Sequence, residues 1–368
     1  MTIISFLFLL FSSVQIYANK LYIEMTFTNC NFFIFAIINK HIVQKYYNMN
    51  IRNLYIIGNG FDIHHNIPSR YADFLDWIKD NEIATYDKMV GLYDNAYDAE
   101  WWNEFETNLG YFEIREKIEN ISFECQPDDD DLEKMRIIDT TVGAWEAENE
   151  IGGVINDIKD TFHEWVNSLP QASINNKINI DVKESFFITF NYTLTLEDLY
   201  DVEQDKILHI HGSLNNDEYI LGHGRTREDI QSDAQKYVVP YDGKQDPSEY
   251  GLDAIDDEIT ENTKNEVINQ VMCIAKPVGQ IIKKYSELFN QFSNVENVFI
   301  YGLSFSDVDK PYLEKAINGV SQNAKYIISY YTKKDYSNIM KFMDDHPISY
   351  ELIKLEDIQI NKQLKLNI

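Results

Sequence analysis

The stretch Asn53–Ile78, NLYIIGNGFDIHHNIPSRYADFLDWI, constrains this chain more than any other. Asn53–Ile57 is a short apolar run, rich in Ile and Tyr, of the kind a strand buried in a parallel sheet shows. Gly58-Asn59-Gly60 follows at once, and its glycines permit positive φ and close approach by a ligand. After Ile67-Pro68, Ser69 reads as an N-cap, with Tyr71, Phe74, Leu75 and Ile78 repeating at helical spacing. Strand, glycine turn and helix is how nucleotide folds offer backbone N–H groups and a helix N-terminus to phosphate. An ordinary βα turn shares the pattern, so the stretch predicts a nucleotide site and leaves its chemistry open.

Strand-like runs return at Ser185–Phe190, Lys206–Ile210, Asn297–Tyr301, Lys325–Tyr331 and Ser349–Leu355, with Glu218–Leu221 a further short candidate. Helical patterns alternate with them at Leu194–Tyr200, from near Pro311, and at Tyr336–Met343. The alternation predicts an α/β fold, a Rossmann-like, mostly parallel sheet flanked by helices. Residues 49–368 read as a single domain with helical insertions at about 81–183 and 225–293. In the first insertion Trp101, Trp102, Phe105, Leu109 and Phe112 make one apolar stripe; Val154, Ile155, Ile158, Phe162, Trp165 and Val166 make another. Glu104 and Glu106, beside the first stripe, read either as cleft-lining or as part of an exposed helix face. Pro127–Asp131 reads as a solvated loop. In the second insertion the acidic stretch Asp246–Glu266 reads as including a loop, closed by an apolar helix over Val267–Phe289.

A net charge of −28 disfavours any broad electrostatic grip on nucleic acid. Cys30, Cys125 and Cys273 lie far apart, which argues against a zinc ribbon or disulfide framework and for a reducing, cytoplasmic setting. Ile3–Ala18 is uncharged and resembles a signal-peptide core, yet no Lys or Arg precedes it and Ile16-Tyr17-Ala18 makes a poor cleavage site. Met49-Asn50-Ile51-Arg52 leads straight into the first strand. The expectation is a genuine start at Met49, with residues 1–48 outside the fold, and no membrane span in residues 49–368.

In a parallel sheet, ligands sit beyond the carboxyl ends of the strands. Four expected strand ends carry Gly, Asn, His or Ser: Gly58–Asp62, Thr189–Thr193, His209–Ser213 and Gly302–Ser306. The dehydrogenase fingerprint wants a third glycine where Ile63 stands, and neither a P-loop nor a G-x-S-x-G motif is present. His209 and His211, spaced to share one face of a strand, could form a metal site with His223 and Asp62, giving a metal-dependent nuclease or phosphoesterase as an alternative. The neighbouring His64 and His65 diverge on any regular element.

Leu54–Asp62, Ile67-Pro68, Tyr71 and Phe74 resemble the opening motif of the AbiH family of bacterial abortive-infection proteins. Trp102…Phe105-Glu106, Phe190-Asn191-Tyr192-Thr193, His209–Gly212 and Tyr301–Ser304 follow in family order. The resemblance implies defence against phage, in which the infected cell stops growing before progeny mature. It also implies a phage trigger or partner defence protein, and leaves room for a homo-oligomer.

The strand-end motifs are also similar, more distantly, to those of sirtuin-type NAD-binding domains. That resemblance implies NAD as ligand or substrate, without a metal, and cleavage of its nicotinamide–ribose bond by water. His211 becomes the general base, a role that suits a histidine with pKa near neutral, and Asn191 positions a ribose hydroxyl or water. Asp62 joins them as a third catalytic candidate. Gly58, Asn59, Gly60 and Phe61 become the pyrophosphate turn, and Ser304 the contact to the adenosine end. Tyr71, Tyr192, Gly212, His223 and Gly302 complete the binding set. Thr193 stands where sirtuins have an aspartate, Ser69-Arg70-Tyr71 only loosely follows their pattern, and their zinc-binding cysteines are missing, which argues against protein deacetylation. A non-catalytic nucleotide sensor is the remaining alternative.

Overall fold

The computed structural model describes residues 50–126, 140–214, 219–235, 250–346 and 348–358. The chain opens on β1 (Asn53–Ile57) and then runs through helices: α1 (Asn59–His64), α2 (Tyr71–Asn81), α3 (Ile83–Leu92), α4 (Ala99–Trp102), α5 (Phe105–Asn108) and α6 (Ile114–Glu124). A π-helical turn, Glu148–Gly152, joins α7 (Val142–Ala147) to α8 (Gly153–Ser168). Strand β2 (Ser185–Thr189), helix α9 (Thr195–Tyr200) and strand β3 (Ile207–His209) follow. A second helical stretch holds α10 (Arg227–Gln235), α11 (Tyr250–Cys273), α12 (Val278–Lys284) and α13 (Ser286–Phe289). The chain then alternates through β4 (Asn297–Tyr301), α14 (Lys310–Asn318), β5 (Lys325–Ser329), α15 (Lys333–Asp344) and β6 (Tyr350–Ile353).

The six strands form an all-parallel sheet in the order β3-β2-β1-β4-β5-β6, the doubly wound arrangement expected from the alternating pattern. Side chains alternate across it. Leu54, Ile56, Phe186, Ile188, Val298 and Ile300 share one core with Tyr312 and Leu313 of α14 and with Ile339 and Phe342 of α15. Tyr55, Ile57, Phe187 and Tyr301 face the other way, onto Phe61 of α1 and Leu196 and Tyr200 of α9. Register places Tyr55 opposite both Phe187 and Phe299, and its ring stacks on theirs at 4.9 and 4.5 Å between centroids. The edge strands β3 and β6 are short, which limits the unpaired backbone they present.

The two insertions share one core. Phe74, Trp102, Phe105, Phe162 and Trp165 pack in the same buried cluster as Leu221, Ile230, Val267, Ile268, Val271 and Ile274. Both apolar stripes expected from the sequence lie in or against this cluster, with Trp101 and Phe112 partly buried at its margin. One helical layer therefore sits beside the sheet.

Several local expectations are corrected. Ser69 does not cap α2; the N-cap is Arg70, whose N–H donates to Asp73, while the Ser69 hydroxyl donates to Asn59 at 2.5 Å. Tyr219–Leu221 forms no strand, and His223 alone makes an isolated parallel bridge with Ala275. From Tyr250 onward the acidic stretch is helix α11 instead of loop; residues 127–131, 246–249 and 1–48 lie outside the described residues. The helix expected over Val267–Phe289 breaks after Cys273, because Pro277 lacks an N–H and disfavours helical backbone at Lys276 before it.

Phe74 touches Trp102, Phe105, Phe162 and Trp165 with centroid separations of 4.9–5.7 Å. Phe74→Ala is expected to cost about 3–5 kcal/mol in urea denaturation, the range for a buried Phe. A loss under about 1 kcal/mol would mean the helical layer does not share the cooperative core.

Candidate functional site

Strands β1 and β4 are neighbours whose connections leave in opposite directions, so their carboxyl ends form the switch point where doubly wound sheets take ligands. Glycines let the two loops touch there. Gly58 N–H donates to Tyr301 O at 2.9 Å, Gly60 N–H to Gly302 O at 2.8 Å, and Phe61 N–H to Gly58 O at 3.0 Å. A Cβ on Gly58 would stand 2.6 Å from Gly302 O, and one on Gly60 2.8 Å from Gly302 Cα. Gly302 has φ +66°, and a Cβ there would run into the Phe61 backbone nitrogen. The glycines serve this loop-to-loop contact. Three N–H groups of the expected pyrophosphate turn are thus engaged by protein carbonyls, although Gly58, Asn59 and Gly60 do line the cleft above.

That cleft has a volume of about 750 Å³ and lies between the strand ends and the helical layer. Asp62, Asn191, His211, Gly302 and Asp309 contribute to its floor, and Tyr71, Trp102, Phe105, Glu106, Phe162 and Trp165 to its opposite wall. Tyr192 also lines it, and exposed Ser304 stands at the rim. Phe61, Gly212 and His223 are not among the lining residues: Phe61 is buried in the core beneath the sheet.

Asp62 is a structural hub. Its carboxylate accepts from Thr193 Oγ1 at 2.5 Å and Thr195 Oγ1 at 2.7 Å. Burial raises its pKa, and the hydroxyls of Thr193 and Thr195 and the Asn191 side chain act against that rise. Thr193, the departure from the sirtuin pattern, is thereby explained as a donor to Asp62. Asn191 Oδ1 is left buried without a hydrogen-bond partner among the described residues.

A second cluster surrounds Lys276. Its side chain is fully buried, 2.9 Å from Glu106, 3.5 Å from Asp309 Oδ1 and 3.4 Å from His211 Nδ1. Asp309 and Glu106 hold the ammonium charged against the cost of burial. Asp309 is kept below its ordinary range, although burial works against this, by Lys276 and then His211. Burial raises Glu106 despite Lys276. His211 does not titrate near neutrality as expected: burial, and then the neighbouring Lys276, push it down to about 3. Besides Lys276, the Phe190 backbone also bonds to the ring. Nε2 stands 3.6 Å from Asp309 Oδ1, too far for a hydrogen bond, and has no partner among the described residues.

The other histidines have structural partners. His223 N–H donates to Ile274 O, and His223 O accepts from Lys276 N–H at 2.8 Å, so this residue fixes the segment that carries the lysine. Its ring donates from Nε2 to Val271 O at 3.0 Å and accepts at Nδ1 from Arg225 N–H at 3.1 Å. His209 reaches Glu197 at 2.9 Å and Asn191 O at 3.2 Å. His65 is buried between Phe61 O and Tyr200 OH, both at 2.7 Å, while His64 reaches Asn176 O at the cleft edge. His209, His211 and His223 thus go to different partners. Among the described residues no group of three or more His, Cys, Asp or Glu side chains could hold a metal ion.

Sequence reasoning missed Lys276 and Asp309, quoted Ser306 in a strand-end motif without giving it a role, and left Glu106 open. Pro277 was the signal for the first, since a helix break turns the chain at the residue before it. Asp309 before Lys310-Pro311 carries an N-cap signature, which points to structure instead of chemistry.

A doubly wound parallel sheet with a ligand-sized cleft at its switch point defines a Rossmann-like α/β protein. The family model described as bacteriophage abortive infection AbiH matches residues 54–330, a span that contains the whole polar floor of the cleft, and the chain belongs to that family. Its role is in abortive infection by bacteriophage. No curated protein and no solved structure matches the chain. Among the described residues no helix is long and apolar enough to cross a membrane.

Gly302→Ala is expected to destabilise the protein by more than about 3 kcal/mol in urea denaturation, through positive φ and backbone collision together. A change below about 1 kcal/mol would mean the loops can part freely. Buried His223 has its pKa lowered to about 4, so below pH 6.5 the unfolded chain takes up a proton that the fold refuses. Stability from this group is therefore lost as pH falls, by about 2 kcal/mol between pH 7 and pH 5. Denaturation of His223→Gln at both pH values is expected to show a pH dependence smaller than wild type by that amount; an identical pH dependence would contradict the assignment.

Proposed function

We propose that this protein acts in phage defence by binding a dinucleotide of the NAD type in the switch-point cleft and hydrolysing its nicotinamide–ribose bond. One observation carries the reading: two cleft residues, Asn191 and His211, each hold a buried polar atom without a partner among the described residues. Leaving such atoms unmatched costs about 1–3 kcal/mol each, so they call for an explanation. A ribose diol supplies one, because one hydroxyl can donate to Asn191 Oδ1 while the other bonds to His211 Nε2. The cleft volume of about 750 Å³ suits a ligand of this class, and the aromatic wall offers faces for its bases.

The chemistry asks little of a general acid. The C1′–N1 bond breaks with its electron pair going to nicotinamide, which leaves as a neutral pyridine. Water adds at C1′ and gives up a proton, and the products are nicotinamide and ADP-ribose. Asn191 and His211 grip the ribose as positive charge develops at C1′, and Asp62 with its threonines fixes the Asn191 amide. Loss of NAD then halts the infected cell.

The test is nicotinamide release by purified protein, with and without phage lysate, for wild type, His211→Ala and Asn191→Ala. Each variant is expected to lose about 100-fold or more in rate, unaffected by EDTA. His211→Ala cleaving at the wild-type rate would overturn the reading. Tight NAD binding without nicotinamide release under either condition would favour the sensor.

A further inference from the structure

On that reading the geometry points to Asp309 as the general base that activates water at C1′, with Lys276 and Ser306 holding it and His211 acting as a hydrogen-bond partner of the ribose. Six carboxylates line the cleft. Glu104 and Glu356 are exposed and pair with Lys334 and Lys354, and Asp335 caps α15. Partners separate the other three, Asp62, Glu106 and Asp309. Asp62 accepts from two threonine hydroxyls at 2.5 and 2.7 Å, is also bonded by the Asn191 side chain, and is almost wholly buried, which leaves little room for a water. Glu106 forms the short contact to Lys276, 2.9 Å, and the hydroxyls of Tyr71 and Tyr192 also bond to it. Asp309 differs. Its Oδ2 accepts from Ser306 Oγ at 3.0 Å, but its Oδ1 has only long approaches, 3.5 Å from Lys276 and 3.6 Å from His211 Nε2. Of the three buried carboxylates, Asp309 has the most loosely held oxygen, Oδ1.

Its position fits the step. Asp309 follows the β4 loop at the switch point and stands beside His211, one of the two groups assigned to the ribose. A water held by Oδ1 lies within reach of whatever His211 Nε2 binds. As the water oxygen bonds to C1′ and nicotinamide leaves with the C1′–N1 electron pair, Asp309 takes the water proton and later releases it to solvent. Lys276 keeps the carboxylate ionised before the step. His211 Nε2 is left to the ribose hydroxyl.

Asp309→Asn tests this with NAD as substrate and ADP-ribose as the binding probe. Glu106 still pairs Lys276 in this variant, so the fold retains a counter-ion for the buried ammonium. The expected result is at least a 100-fold fall in nicotinamide release, with ADP-ribose affinity by calorimetry within threefold of wild type. Asp309→Glu, which keeps the charge, provides the second arm if the Asp309→Asn variant melts early; it is expected to bind ADP-ribose and to recover part of the rate. Cleavage within tenfold of wild type by Asp309→Asn overturns the assignment alone. A wild-type protein that releases no nicotinamide overturns the functional reading, and this assignment with it.

Discussion

A fully buried ammonium organises this molecule. Lys276 has none of its side chain exposed, and an isolated charge in that position costs several kcal/mol. Glu106 and Asp309 offset that cost, and they come from opposite sides of the structure. Glu106 belongs to the helical layer, in α5, whereas Asp309 stands at the start of α14, after the central strand β4. Lys276 lies in the break between α11 and α12, on the path back to the sheet. The ion pairs therefore join the sheet to the helical layer, and two of the three groups, Glu106 and Asp309, also line the cleft.

Much of the fold was legible in the sequence because its strands are short apolar runs bounded by turn residues. Asn53–Ile57 and Asn297–Tyr301 were read with the residues they have in the structure, and the remaining strands to within two residues at either end. The parallel, doubly wound layout followed from the alternation with helices. The joining of the two insertions into one core was not legible, since nothing local in Trp102 or Val271 says that they share a cluster.

The site was legible in outline only. Gly58, Gly60 and Gly302 were recognised, but for phosphate approach, when their immediate effect is to let two loops meet backbone to backbone. His223 looked like a ligand and instead fixes Lys276 through the backbone. His211 was placed at the cleft by its strand-end position, but its protonation depends on Lys276, far away in sequence, which spacing cannot reveal. Motifs locate loops; the electrostatics of a site come from whatever the tertiary fold brings beside them.

The central claim is that the cleft hydrolyses NAD at the glycosidic bond. Mass spectrometry of NAD incubated with the full chain in ¹⁸O-labelled water tests it most directly, run with and without phage lysate. The account predicts free nicotinamide and ADP-ribose carrying one ¹⁸O at the ribose C1′ hydroxyl. Unchanged NAD under both conditions, or label on phosphate in AMP and nicotinamide mononucleotide, would contradict it.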